Sequence, residues 1–499
     1  MKKKVLYYNW VPFDDDEKRG GGVTVYQKNL IDELKDKPNI DLYFLCSGLS
    51  YNFSKKAPFI EPYKNCYGDK CHSFRIVNSP VLSPAFLNFK NIKAYLEDST
   101  LLELFVKFCK EHGPFDIIHF NNFEGLSLNV FKIKDYFPTT KIIYSLHNYY
   151  SFCPQVNLWK NEEENCKNNH YGKDCVNCVI TNFTINDVKK ADMLSYYLKN
   201  AGFTSDTKVF QNTFKLCRFA GKVKYKLFTH NALQSEKSNK QEVWENLSTE
   251  SQSFLKKAEY YRLFSAKSVD YINKYTDAIL AVSDRVRQIA IERGLIKDKV
   301  ITNYIGTKFA NNQLGYSLNN YDGLTLNLIY MGYARRDKGF FFFMDCLDKV
   351  PTNIAEKISL YFAVKTDDIY VINRMKSLRE RYHGVYFKNG YNHSELGRML
   401  KTINLGVIPV LWEDNLPQVA IELNAEGIPV LSSDLGGASE LSKSAYFKFK
   451  GGDMDDLIGK LSYIVEHKDI IQDYWSKRMI LKSMENHILE LKDIYGFDF

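Results

Sequence analysis

The residue types and spacings with the most chemistry in this chain lie between Glu413 and Glu440, EDNLPQVAIELNAEGIPVLSSDLGGASE. Leu416, Val419, Ala420 and Leu423 repeat at the i, i+3, i+4, i+7 spacing of an apolar helical stripe. The pattern predicts a helix over 416–426 with Asn415 as N-cap, Pro417 in the first turn and Gly427 as the stop. A short strand over 429–432 and a tight loop at Gly436 and Gly437 follow. Asp414 thus sits in the loop before a helix N-terminus, and Glu422 lies two turns into that helix. At about 100° per residue Glu422 falls on the flank shared with Gln418. The free N–H groups and positive dipole end of such a helix suit a phosphate. Two acids around a phosphate-binding turn cannot themselves bind phosphate and are better matched to hydroxyl groups. Hydroxyls beside a diphosphate describe a nucleotide sugar. An acid pair capping a surface helix has the same local pattern, so the rest of the chain must decide.

Further chemistry-bearing groups fall at the ends of apolar runs. Gly332-Tyr333-Ala334-Arg335-Arg336-Asp337-Lys338-Gly339 follows one such run and supplies cations. Arginine offers a planar bidentate clamp on phosphate and lysine a point charge. Gly20, Gly21 and Gly22 join a first strand to a helix, an arrangement that brings backbone N–H groups to a phosphate or a carbonyl; a plain flexible turn has the same composition. The spacing is not that of a dinucleotide fingerprint. His119-Phe120-Asn121 and His147-Asn148 end two strands, and ligands of open parallel sheets bind at such carboxyl ends. An imidazole there can bond a sugar hydroxyl or a diphosphate. Cys153, Cys166, Cys175 and Cys178 fall within 26 residues, the last two as C-x-x-C, with His170 between. Four thiols so close describe a tetrahedral structural zinc site, although the first gaps are not a standard finger spacing. A reduced thiol cluster or an opportunistic disulfide remains the other reading.

The elements that must position these residues alternate. In the C-terminal half, apolar strands at 324–330, 358–364, 385–387, 405–410, 430–433 and 446–449 are separated by helical patterns, which means a parallel sheet covered on both faces. Strands at 3–9, 39–46, 116–120, 141–146 and 275–282 organise the N-terminal half, with a helix expected over 126–136. Residues 50–95 have no readable organisation. At 499 residues the chain is long enough for two or three domains. The expected fold is α/β: two Rossmann-like domains facing across a cleft, with a Cys-containing and basic helical insertion in the N-terminal domain. The expected boundaries are 1–310 (insertion about 150–265), a hinge at 311–323, a second domain over 324–470, and a helical segment over 471–499 crossing back to the first domain.

Charge and targeting signals narrow the class. The net charge of +8 is concentrated between Phe183 and Tyr275, where a basic patch can meet an anionic membrane surface or simply be a solvated helical face. No nucleic-acid-binding motif accompanies it. The apolar run after Met1-Lys2-Lys3-Lys4 breaks at Asn9 and turns acidic at Asp14, so it reads as a strand and not an export signal. A cytoplasmic protein with reduced cysteines is therefore expected, with contact at the inner face of the membrane through the basic patch as a further option.

The segment from Asp414 to Glu440 resembles family 4 retaining glycosyltransferases of the GT-B fold, of the bacterial surface-polysaccharide assembly type. Their signature is two acids separated by seven residues, an Ala/Gly-Pro-Val strand, and a Gly-Gly loop ending in Glu. Asp414 stands where the family usually has Glu, and Glu413 is one residue off register. The resemblance implies a sugar moved from a nucleotide-diphosphate donor to a hydroxyl of a glycan or lipid-linked acceptor, with retention and with no cofactor required for catalysis. It implies catalytic roles for His147, Asp414 and Glu422. Donor contacts are implied for Gly21, Gly22, Lys338, Arg335 or Arg336, Gly390, Tyr391, Glu413, Asn415, Leu416 and Gly437. Tyr333 occupies the position of the family's arginine, so Arg335 or Arg336 must substitute for it. A nucleotide-sugar epimerase of the same fold and a non-catalytic partner subunit are the alternatives, and a Rossmann oxidoreductase is disfavoured by the absent fingerprint.

Overall fold

A computed structural model of the chain describes residues 2–84, 92–178, 185–217, 247–312, 321, 323–391 and 395–499. The continuous apolar run Val5–Tyr8 forms the buried end of β1 (Lys3–Tyr8), which pairs in parallel with a strand on either side. That is the placement expected of a strand with no polar face. Around it lie β2 (Ile40–Ser50), β3 (Phe59–Pro62), β4 (His72–Val77), β5 (Ile117–Phe120), β6 (Lys141–Leu146), β9 (Ala278–Ala281) and β10 (Val300–Thr302), in the order β10-β9-β6-β5-β1-β2-β4-β3. Only the β3–β4 pair is antiparallel. The small ribbon β7 (Trp159–Lys160) and β8 (Glu164–Asn165) stands apart from this sheet.

The second sheet repeats the plan. Its strands are β11 (Leu326–Gly332), β12 (Ile358–Val364), β13 (Gly384–Lys388), β14 (Leu405–Ile408), β15 (Val430–Ser433) and β16 (Lys448–Phe449), in the order β13-β12-β11-β14-β15-β16, all parallel. In each sheet the strand order reverses once, between β1 and β5 and between β11 and β14. Such reversal points leave a crevice beyond the strand carboxyl ends. The cation loop leaves β11 and the acid loop leaves β14, so both face that crevice in the second sheet.

Several expectations are corrected. The helix expected over 126–136 is a 3-10 stretch, Leu128–Lys132, and a single turn, Ile133–Tyr136. The unreadable stretch holds β3 and β4, an antiparallel edge where Pro62 costs no ladder bond. Residues 470–499 are not one long helix but Ile470–Ser476 and Met484–Tyr495. Met484, Ile488, Leu491 and Tyr495 of the latter pack into the core against Tyr26, Leu30 and Leu34 of the helix Gly21–Leu34. Tyr495 shares a hydrogen bond with buried His119 (2.6 Å), and His487 with Tyr26 (2.7 Å), so the last helix is keyed to the first sheet by polar contacts as well. Most of the hinge expected at 311–323, and much of the basic stretch, lies outside the described residues. Among the described residues no helix is long and apolar enough to cross a membrane.

Candidate functional site

The site is built from two loops of the second sheet and two strand ends of the first. After β11 the chain turns at Gly339, which holds φ +70 and leaves no space for a side chain: an added Cβ would lie 1.6 Å from the carbonyl oxygen of Pro409. This close approach presses the cation loop against the exit of β14, where the Leu411 N–H donates to Asp337 O at 3.1 Å. The Lys338 ammonium donates to Asp414 Oδ2 at 2.6 Å and lies 5.0 Å from the Trp412 ring. Arg335 turns back on its own loop, with two bonds to Asp337 at 2.8 and 2.7 Å. Arg336 is exposed and points toward Glu162 at 3.9 Å. Of the three cations only Lys338 reaches the acid loop.

The acid loop is buried throughout: Glu413, Asp414 and Asn415 are each 5–6% exposed. Glu413 is taken up by a two-bond pair with Arg285, from the helix Asp284–Glu292 of the first domain, and by the Gly436 N–H at 3.0 Å. Asn415 does not cap the following helix; its amide donates to Leu146 O at 3.4 Å, at the end of β6. The helix starts two residues later than expected, as Gln418–Ala425, with extended Pro417 in the cap position. Gly436 (φ +72) and Gly437 back the loop, and a Cβ on Gly436 would lie 2.0 Å from Asp414 O. The Gly437 N–H donates to that same oxygen at 2.9 Å.

Glu422, 1% exposed, accepts from the Tyr391 hydroxyl at 3.1 Å, which joins the helix to the loop after β13. Burial pushes its carboxyl from 4.5 up to about 7, and bonds from Tyr391 and Gln418 limit the rise. Gly390, at φ +71, makes the turn that delivers Tyr391.

The first domain closes the other side. A Cβ on Gly22 would lie 3.6 Å from Gln418 Cβ, so the glycine turn faces the first residue of the Gln418–Ala425 helix. Gly21, beside it, has φ +56 and open space around it. Tyr26, one turn on, lies 5.0 Å from the His147 ring, and His147 Nε2 is 3.2 Å from Asn121 Oδ1. Protein atoms packed around His147 push its imidazole down to about 3, so it is neutral at pH 7. His119, by contrast, is sealed in the core between Tyr495 and Ser145. Leu416 is buried in the core beside the loop.

Reading the sequence missed the ties between domains. Glu440 accepts the N–H groups of Asp284 and Arg285 at 3.1 and 2.7 Å and the Tyr304 hydroxyl at 2.6 Å. It thus caps a first-domain helix from the second domain. Glu440 stood at the end of the Gly-Gly loop, but nothing local pairs residues 128 or 155 positions apart. Cys153, Cys166, Cys175 and Cys178 line one small cavity beside the site.

Comparison with known proteins supports the architecture. Residues 325–480, which span the second sheet with Lys338, Tyr391, Asp414 and Glu422, match the family model described as glycosyl transferases group 1. No curated protein matches the chain. Among solved structures, Anabaena Alr3699/HepE in complex with UDP aligns at 12% identity and TM-score 0.53, covering 99% of this chain and 100% of that one. Sucrose-phosphate synthase from Thermosynechococcus elongatus aligns at 12% and 0.52, covering 99% and 98%. Trehalose 6-phosphate synthase from Burkholderia multivorans aligns at 12% and 0.54, covering 99% of each. The two parallel-sheet domains are those of the GT-B glycosyltransferase fold.

Proposed function

We propose that this protein is a glycosyltransferase that moves a sugar from a nucleoside-diphosphate donor to a hydroxyl of a glycan or lipid-linked acceptor, with retention at the anomeric carbon. One observation carries the reading. The Lys338–Asp414 pair and the Tyr391–Glu422 pair flank a single helix at the sheet's reversal point, and the Gly22 turn meets that helix from the other domain.

In this reading Glu422 accepts from the ribose hydroxyls, with Tyr391 beside the base. Lys338 and the free N–H groups at Gln418 neutralise the departing diphosphate, stabilisation in place before charge develops. Asp414, held by Lys338, orients the sugar hydroxyls, and neutral His147, whose Nε2–H donates to Asn121 Oδ1, offers its Nδ1 as an acceptor to the transferred sugar. Glu413 is taken up by Arg285 and the Gly436 N–H, and Asp414 is assigned to the sugar hydroxyls, so neither is placed as a nucleophile. That favours departure and attack on one face of the sugar over a two-carboxylate scheme.

The test is calorimetric titration with UDP, GDP and their common sugars, followed by donor hydrolysis and transfer assays. UDP, named with the Anabaena neighbour, heads the panel. Micromolar binding to one nucleotide, about −8 kcal/mol, that is sharply weakened in Glu422→Ala and Lys338→Ala is expected. Absence of binding across the panel overturns the donor site. A second reading is a partner subunit that binds donor without turning it over. Tyr333 at the arginine position and Arg335 folded back on Asp337 favour it, and binding without hydrolysis or transfer would select it.

A further inference from the structure

Residues 153–178 leave the carboxyl end of β6 and form a flap beside the cleft. Its regular structure is slight: the two-residue strands β7 and β8 and the helix Lys173–Cys178. Leu158, Trp159 and Cys175 anchor it in the core of the first domain, while its remaining backbone has little regular structure to hold it. Its backbone is also costly. Among the described residues, eight other than glycine have positive φ, and six of them lie here: Val156, Leu158, Asn161, Glu162, His170 and Tyr171. For β-branched Val156 this is a genuine outlier. Such conformations persist only where the surroundings over-determine them.

Four thiols line a small cavity inside this flap. Cys153 enters from the turn after β6, Cys166 follows β8, and Cys175 and Cys178 lie one helical turn apart. The Cys178 sulfur accepts the Asn161 backbone N–H at 3.2 Å and the Gln155 side-chain amide. N–H donors aimed at a sulfur are the usual outer partners of a metal-bound thiolate. Buried Trp159 also lines the cavity. His170 is turned outward to Asp174 at 2.8 Å, and Asp174, which also lines the cavity, is held by His170 and by Lys160 at 2.9 Å, which leaves the four sulfurs as the donor set.

We propose that Cys153, Cys166, Cys175 and Cys178 bind one zinc ion as an all-thiolate tetrahedral site that staples this flap. Among the described residues no three of the four sulfurs lie within 4.8 Å of one another. Zinc–sulfur bonds of about 2.3 Å require the sulfurs to draw in, so metal entry contracts the cavity. The contraction acts on the donor cleft. Asn165 donates to Leu411 O at 3.3 Å on the acid-loop side, and Glu162 faces Arg336 of the cation loop. Arg293 donates to the Cys166 carbonyl and anchors the flap's far side to the first domain. Zinc therefore holds the loops after β11 and β14 against the flap. The proposal stands whether or not the cleft transfers a sugar.

The full-length protein, expressed in zinc-supplemented medium and purified without chelator, is assayed for metal by mass spectrometry. About one zinc per chain, released by a mercurial thiol reagent, is expected. Cys175→Ser should reduce the content to background, whereas Cys217→Ser, at an exposed cysteine outside the flap, should retain it. Because Cys175→Ser is at risk of misfolding, wild-type protein reloaded with cobalt provides an independent readout: the visible bands of a tetrahedral cobalt–thiolate centre. Wild type without zinc and without those bands overturns the proposal. So do iron with acid-labile sulfide, or a disulfide among the four cysteines in protein isolated under native conditions.

Discussion

Glu422→Gln should stabilise the protein and weaken its hold on the donor, and pH separates the two effects. The carboxyl is 1% exposed, and burial pushes it from 4.5 to about 7. Between those values the folded protein keeps a proton that the unfolded chain has released. Stability therefore falls as pH rises through the window, with no penalty below it. The gap between 4.5 and 7 corresponds to about 3 kcal/mol. The glutamine variant keeps the shape and the bond to Tyr391 but has no charge to desolvate. Linkage of this one site between the folded and unfolded states puts the wild-type penalty at about 1 kcal/mol at pH 5 and about 3 kcal/mol at pH 8.5. Parallel urea unfolding at the two values should therefore show the gap widening in the variant's favour by about 2 kcal/mol. Calorimetry at pH 8.5 should show weaker nucleotide binding by the same variant, an instance of a site residue that costs stability. A gap that does not change with pH would refute the argument, because it would place Glu422 at an ordinary carboxylate value and outside a desolvated site.

Four further outcomes follow from the geometry. Arg285→Met leaves buried Glu413 without its cation and should cost about 3 kcal/mol in urea unfolding, while Arg285→Met with Glu413→Leu should recover most of the loss. Glu440→Gln weakens the cap on the helix Asp284–Glu292 by about 1–2 kcal/mol, read as faster hydrogen exchange at the Asp284 and Arg285 amides. Gly436→Ala drives a methyl into the Asp414 carbonyl and should raise the nucleotide Kd at least tenfold. Gly427→Ala, with similar φ but nothing within 4 Å, should cost only backbone strain of about 1 kcal/mol and leave binding intact. The His147 imidazole should show no NMR titration near pH 6.5, because its surroundings keep it neutral until about pH 3.

What could be read from the sequence was periodic or local. Six apolar runs alternating with helical patterns described the second sheet, and strand ends marked where ligands meet it. Individual boundaries failed where a tertiary partner competed with a local rule. Asn415 has the side chain of an N-cap, but Leu146 O claims its amide, and Pro417, extended at ψ 129, delays the helix to Gln418. The break between Ser476 and Met484 left no strong signal, because apolar residues continue through it. Residues 59–77 form a short antiparallel edge inside a stretch whose turn residues and prolines hid any periodic pattern.

The ambiguity between Glu413 and Asp414 shows the limit most clearly. The two are adjacent, both are acids, and spacing to Glu422 alone cannot choose between them. In the folded chain they part company: Glu413 faces Arg285 of the first domain and Gly436, while Asp414 faces Lys338. Neighbouring side chains on non-helical backbone diverge, so one of the pair must turn away from whatever the other meets. The partner that Glu413 meets lies 128 residues away in the other domain. A carboxylate already holding a bidentate guanidinium and a backbone N–H has little accepting capacity left for a sugar. Asp414 has a single lysine contact that an incoming diphosphate can compete for, which leaves its oxygens available to hydroxyls. On that argument Glu413 belongs to the joint between the domains and Asp414 to the ligand, and the double replacement at Arg285 and Glu413 should spare nucleotide binding that Asp414→Asn impairs.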